Sequence, residues 1–226
     1  MAMKSQWKYF PKNYRVKIEM PRIVVMARWP ASGRCKRRLA VDIGSEQAAI
    51  VQQRLTAHTL AIAEALTERG VLDVQVAISG VSVRSAQRWL PCLPPCTLLD
   101  QGCGPLGARM LRQIQHARFG QPNKPVIVIG TDLADLCQND LLHAIERLQD
   151  QPLVLGPSAD GGYWLLGLGR AFSRPQLDAL FAGVPWGSNK VLETTCARVR
   201  GLGLTPHQLR MKNDIDCLAD LSAWQR

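Results

Sequence analysis

The run Val126-Ile127-Val128-Ile129 constrains this chain more than any other stretch. Every position is apolar and β-branched, with no alternation. Such a run suits a strand buried on both faces, as in a parallel sheet. It stops at Gly130, and Asp132 follows two residues later, within a stretch that ends at Leu136. A carboxylate just past the carboxyl end of a buried strand lies at the rim of an open α/β sheet, where ligands bind. Residues Gln138 to Gln149 read as a helix, with Leu141, Leu142, Ile145 and Leu148 on one side. Asp132 is therefore expected on a rigid strand–turn–helix unit. The plainer alternative is that Asp132 only caps a turn, or that Asp135 or Asn139 caps the next helix.

The rest of the chain repeats this alternation. Arg22 to Arg28 holds a buried strand around Ile23, Val24, Val25 and Met26. Ser45 to Arg69 is the clearest helix: Ala48, Val51, Leu55, Ile62 and Leu66 share a face, Ser45 can cap the start, and Gly70 ends it. Strands are expected at Asp73 to Ser79, Thr97 to Leu99, Pro152 to Gly156 and Trp164 to Leu168. Helices are expected at Ser85 to Leu90, Leu106 to Arg118, Asn189 to Val199 and Leu218 to Trp224. Pro91 to Pro95 reads as a stiff connector. Alternating strands and helices predict a three-layer α/β/α sandwich with a mostly parallel, Rossmann-like sheet. Residues 21–226 read as one domain, preceded by a basic extension over residues 1–20.

No apolar run approaches the roughly 20 residues that cross a bilayer, and the extension has no apolar core of a signal peptide. The seven cysteines fit no zinc spacing and read as reduced thiols of a cytoplasmic protein. The four histidines, His58, His116, His143 and His207, are scattered, which argues against a histidine metal site. Net charge is +10. That excess suits an anionic partner. A dense cluster lies at Arg28, Arg34, Lys36, Arg37 and Arg38, and much of the rest in the extension and around Lys190 to Arg200; no basic helix or stripe interleaved with aromatics is present, which argues against nucleic acid. Self-association as a homodimer is left open.

Three further motifs carry chemistry. The basic loop Arg28 to Leu39 follows the first strand. Gly33 lets backbone approach a ligand, and guanidinium and ammonium groups supply charge-assisted bonds to phosphate. It is not a Walker loop, since G-x-x-x-x-G-K-[ST] is absent. Gly102, Gly104 and Gly107 spell G-x-G-x-x-G, but mid-chain and with Pro105 in the turn. They suit a turn that starts a helix and touches a phosphate, rather than a dinucleotide fingerprint. Gly156-Pro-Ser158 is not a nucleophile elbow, because Asp160 stands where the second glycine belongs. Asp160-Gly161-Gly162 reads either as a hairpin turn or as a carboxylate and bare backbone set against a ligand. Trp186 reads as core or as a stacking platform. Asp214 and Asp216 alternate on an extended segment, and Asp216 is also a good N-cap. Basic loop and carboxylates on one edge suit a nucleotide with a divalent metal.

These motifs together resemble the small bacterial glycosyltransferase-like family of the nucleotide-diphospho-sugar transferase superfamily. That superfamily has the GT-A fold, shared with molybdopterin-cofactor and phospholactate guanylyltransferases. The resemblance runs from about Ile23 to Trp224. The family's K-x-P-x-x-G-x-x-K-T-R-L loop is matched at Lys36, Arg38 and Leu39, with Arg37 for threonine. Its G-D-L-G-E-R-M turn stands as Gly104-Pro105-Leu106-Gly107-Ala108-Arg109-Met110. Its metal motif stands as Gly130-Thr131-Asp132-Leu133-Ala134-Asp135-Leu136. Gly156-Pro157, Asp160-Gly161-Gly162-Tyr163, Val184-Pro185-Trp186 and Asp214-Ile215-Asp216 match the remaining motifs in order.

The resemblance implies a transferase with a nucleotide or nucleotide-sugar donor, a small-molecule acceptor and Mg2+ or Mn2+. Asp132 and Asp216 are the implied metal ligands. Arg28, Gly33, Lys36, Arg38, Gly104 and Gly107 are the implied nucleotide- and phosphate-binding residues. Asp160 and Lys36 are the implied catalytic residues, and Asp160, Gly161, Gly162 and Trp186 the acceptor side. Glycosyl transfer is the leading expectation and nucleotidyl transfer with pyrophosphate release the runner-up. A non-catalytic nucleotide- or nucleic-acid-binding module is the alternative from another class.

Overall fold

The computed structural model describes residues 20–89 and 96–221. The basic extension up to residue 19, Leu90 with the Pro91–Pro95 connector, and the expected helix beyond Leu221 lie outside the described residues. In chain order the elements are β1 (Arg22–Arg28), α1 (Arg37–Ile43), α2 (Ser45–Glu68), β2 (Asp73–Ser79), α3 (Val83–Trp89), β3 (Thr97–Asp100), α4 (Leu106–Ala117), β4 (Val126–Ile129), α5 (Gln138–Arg147), β5 (Leu153–Pro157), β6 (Tyr163–Leu168), α6 (Arg174–Phe181), α7 (Val191–Gly201), β7 (His207–Gln208) and α8 (Leu218–Leu221).

The strands form one sheet in the order β3-β2-β1-β4-β6-β5-β7. β1 lies parallel to both β2 and β4, and β2 is parallel to β3. Only β6 runs against the rest, antiparallel to β4 and β5. The short loop between β5 and β6 requires this, because parallel neighbours need a long crossover. Every residue of β4 is buried, as the unbroken apolar run demands.

Alternation along β1 divides the core into two layers. Ile23, Val25 and Ala27 pack with Leu60, Ala63 and Leu66 of α2 and with Leu141 and Ala144 of α5. Val24 faces the other way, toward Met110 and Ile114 of α4, Leu177 and Phe181 of α6, and Val199 of α7. This is the expected three-layer α/β/α sandwich. A smaller cluster, Leu39, Leu55 and Ile215, ties α1 to α2 and to the chain that leads into α8.

Several local expectations change. Ser45 is the first helical residue of α2, not its cap. Gly44 takes the cap position without a side-chain bond. Neither Asp135 nor Asn139 caps α5; Asp140 reaches back and accepts the Cys137 N–H at 2.8 Å. The basic loop is not loop throughout, since α1 begins at Arg37. α6 and β7 are additional elements. The described cysteines are free, and no described helix is long and apolar enough to cross a membrane.

Candidate active site

A cleft of about 680 Å³ opens at the carboxyl ends of β2, β1 and β4. Of the residues singled out from sequence, Arg28, Lys36, Arg38, Asp132, Asp160, Gly162, Trp186 and Asp216 line it. Gly33, Gly104, Gly107 and Gly161 do not. Gly107 is buried behind Trp186, and a Cβ there would overlap the indole ring. Gly161 has φ +87° and a Cβ there would run into the carbonyl of Asn189. Both glycines shape the cleft from behind.

Lys36 is the centre of one rim. The buried Cys35 anchors its loop, with Sγ–H donating to the Ala31 carbonyl at 3.4 Å. Lys36 itself adopts φ 44°, the one described non-glycine residue at positive φ. Its side chain is 3 % exposed, and Nζ lies 2.5 Å from Asp132 Oδ1 and 3.5 Å from Asp216 Oδ1. Arg38 Nη1 reaches the other oxygen of Asp216 at 3.6 Å.

Each carboxylate is held by the fold. Buried Gln52 of α2 donates to Thr131 Oγ1 at 3.1 Å, fixing the residue before Asp132. The Asp132 carbonyl accepts the Ile215 N–H at 2.9 Å, which lays residues 212–216 beside β4 as a strap. Asp216 does not cap α8. Asp220 does so, accepting the N–H groups of Asp216 and Cys217 at 2.8 Å. The Asp216 carboxylate is thereby free to face Lys36. Asp160 sits in the β5–β6 hairpin loop, where Oδ1 accepts the Gly162 N–H at 2.9 Å. The hairpin-turn reading of Asp160-Gly161-Gly162 holds, and Asp160 and Gly162 line the cleft. Trp186 stacks on Phe181 with centroids 5.6 Å apart, packs against the core and borders the cleft.

Four cleft residues had no role assigned from sequence: Asp214, Gln101, Arg109 and Ser158. Asp214 was signalled by its i, i+2 spacing from Asp216, which puts both side chains on one side of an extended strap. Burial pushes its carboxyl up to about 7, helped by the charges of Asp132 and Asp160 and opposed by Lys36. A carboxyl raised above its unfolded value of 3.8 binds a proton more tightly when folded. It therefore costs stability as pH rises from about 4 to 7 and above. Asp214→Asn is expected to raise the melting temperature of metal-free protein at pH 8 by about 2–4 °C, roughly 1 kcal/mol. The gain should fade toward pH 4. A melting curve in chelator that shows no gain at pH 8 would contradict this.

Ser158 is 2 % exposed, and its Oγ has no partner among the described residues. On the opposite rim Arg109 Nη1 donates to Gln101 Oε1 at 2.7 Å. The Gln101 amide is itself fixed, donating to the Ala27 and Ala77 carbonyls at 2.9 Å each. One rim is thus acidic with an internal cation, and the other is cationic.

Sheet order, the reversed β6 and this rim define the nucleotide-diphospho-sugar transferase type of α/β fold. The chain belongs to the bacterial family described as "Uncharacterized protein conserved in bacteria (DUF2064)", whose sequence profile matches residues 59–188. No curated protein matches it. Among solved structures it is similar to a Desulfovibrio desulfuricans G20 protein carrying the provisional name nucleotide-diphospho-sugar transferase. The two are 26% identical over 92% of this chain and 87% of that one, with a TM-score of 0.81. It shares its fold with a nucleotidyl transferase from Methanothermobacter (16% identity, 90% and 95% coverage, TM-score 0.55). It also shares it with a Mycobacterium tuberculosis H37Rv protein solved with manganese (17%, 90% and 97%, TM-score 0.51).

Proposed function

We propose that this protein is a divalent-metal-dependent transferase that moves a sugar from a nucleoside diphosphate donor to a small acceptor. The observation that carries this reading is the pair Asp132 and Asp216 sharing one cation, Lys36 Nζ, at the rim of a cleft with a cationic far side. Two carboxylates spaced to hold one positive charge fit Mg2+ or Mn2+, which takes one or two carboxylates and completes its shell with water and phosphate oxygens. Among the described residues no three His, Cys, Asp or Glu side chains form a closed metal cage. When bound, such an ion neutralises charge on the phosphates.

The chain's own residues do the rest. Lys36, Arg38 and Arg28 hold phosphate oxygens and stabilise the leaving nucleoside diphosphate. Asp160 faces the acceptor and takes its hydroxyl proton. Gly162 and Trp186 border the acceptor. Nucleotidyl transfer from a triphosphate is the second reading, favoured by the extra cation Arg37 in the cleft lining.

The test is a thermal-shift screen of nucleotides and nucleotide sugars, with and without Mg2+ or Mn2+, on wild type and Asp132→Ala. A ligand at 100 times its Kd adds about 2.7 kcal/mol, or roughly 5–10 °C for a chain of this size. The expected result is a metal-dependent rise with a nucleotide sugar that disappears in Asp132→Ala. A rise that survives unchanged in Asp132→Ala, or none with any nucleotide, overturns the proposal. Pyrophosphate released from a triphosphate would replace sugar transfer by nucleotidyl transfer.

A further inference from the structure

We infer that Arg109, together with Arg28, forms a second anion subsite in the cleft, one that takes the outer phosphate of the donor's diphosphate. This deepens the reading above and rests on it. Both guanidinium groups line the cleft. Neither has a carboxylate partner among the described residues. Among the described residues Arg28 donates to the Arg34 carbonyl at 3.3 Å. Arg109 donates to Gln101, and its Nε is buried with no hydrogen-bond partner among the described residues.

A buried, unpaired guanidinium donor is expensive to keep, since each unsatisfied charged group costs a full desolvation penalty. The fold nevertheless holds it in place. Gln101 is locked by two strand carbonyls, so its amide oxygen can point only at Arg109. Arg112 adds a third positive charge nearby, itself tied to the Cys103 carbonyl at 3.1 Å. Burial, and then the charges of Arg28 and Arg112, hold the Arg109 guanidinium below its usual value. The first turn of α4 beside it contains no acidic residue. Two fork-shaped donors with spare N–H groups and no counter-ion match a phosphate, which accepts bidentate bonds from each. The acidic rim around Lys36 and this rim then grip different parts of one polyphosphate.

The test is calorimetric titration in Mg2+ with inorganic pyrophosphate and with nucleoside mono-, di- and triphosphates. The proteins are wild type, Arg109→Gln, Arg28→Gln and Arg84→Gln, the last an exposed residue outside the cleft. Arg28→Gln alters an exposed side chain and carries the test if Arg109→Gln fails to fold. Each cleft variant is expected to lose roughly 10- to 100-fold in affinity for nucleoside diphosphate, triphosphate and pyrophosphate, and little for monophosphate. Arg84→Gln should match wild type. Unchanged triphosphate and pyrophosphate affinity in both cleft variants overturns the subsite alone, provided nucleotide binding still needs metal and Asp132. Wild type that binds neither pyrophosphate nor any nucleotide overturns the subsite and the proposed function together.

Discussion

Lys36→Met is expected to weaken nucleotide binding by about 100-fold and to strengthen binding of Mg2+ or Mn2+ added alone. Both effects follow from one ammonium group. Lys36 Nζ lies between Asp132 and Asp216, with its side chain 3 % exposed, so it is the counter-ion of the acidic rim in the ligand-free protein. A divalent ion must compete with it for the same two carboxylates. A nucleotide gives the displaced ammonium a phosphate to bind, so metal and nucleotide should bind more tightly together than apart. Methionine keeps the length and removes the charge. The metal then enters without displacement, and the phosphate loses a charge-assisted bond of about 1.5–3 kcal/mol, which is about one to two decades in Kd. The backbone supports the same reading. A left-handed residue other than glycine costs on the order of 1–3 kcal/mol and persists where its surroundings over-determine it. Here Cys35 behind and Leu39 ahead are both buried. Lys36→Gly should therefore melt above Lys36→Ala while binding nucleotide equally poorly. Titration of Mn2+ with and without nucleotide reads all of this. Equal Mn2+ affinity in wild type and Lys36→Met would remove Lys36 as the internal counter-ion.

The parts of this site legible in the sequence are those where burial and chemistry act on neighbouring residues. Val126 to Ile129 can only be a doubly covered strand, and Asp132 comes two residues after it, so strand, rim and carboxylate are read together. Asp216 was ambiguous because an aspartate before a short helix is a good cap. The choice turns on Asp220, four residues on, whose carboxylate takes the capping bonds instead. Gln101 left no trace: its role depends on Ala27 and Ala77, which are distant in sequence and meet it only across parallel strands. Arg109 follows the glycine turn in the first turn of α4, and it, not Gly104 or Gly107, lines the cleft. α6 was readable, since Ser173 and Gln176 form a capping box with a proline in the first turn. β7 was not, because two residues have no period.

The strap that carries Asp214 and Asp216 hangs on Lys212, and Lys212→Met is expected to lower the melting temperature at pH 7 by about 4–8 °C. Lys212 is built into the sheet edge: its N–H donates to the Pro157 carbonyl at 3.0 Å and its carbonyl accepts the Ala159 N–H at 3.1 Å. Its side chain passes under the β4–α5 loop, where Nζ lies 3.0 Å from both Asp135 Oδ2 and Asp140 Oδ2 and 5.9 Å from the Trp164 ring centroid. One cation thus joins the hairpin loop that bears Asp160, the loop that bears Asp132 and the strap itself. Breaking a fully buried pair costs about 3–5 kcal/mol. Asp135 is 63% exposed, so its share is screened, and a loss on the order of 2 kcal/mol is expected. That corresponds to the stated melting shift for a chain of this size. Burial alone would lower the Lys212 pKa, but the bonds to Asp135 and Asp140 outweigh it and raise the value above 10.5. A raised folded pKa means that the stabilisation is fully present below the unfolded value and is lost as pH rises through the folded one. The difference between wild type and Lys212→Met should therefore be constant from pH 6 to 9 and shrink above about pH 10.5. Lys212→Arg should not restore it, because a planar fork replaces a compact ammonium in a closed pocket. Melting curves across that range decide the matter. A loss at pH 11 as large as at pH 7 would show that packing, not the two carboxylates, fastens the strap.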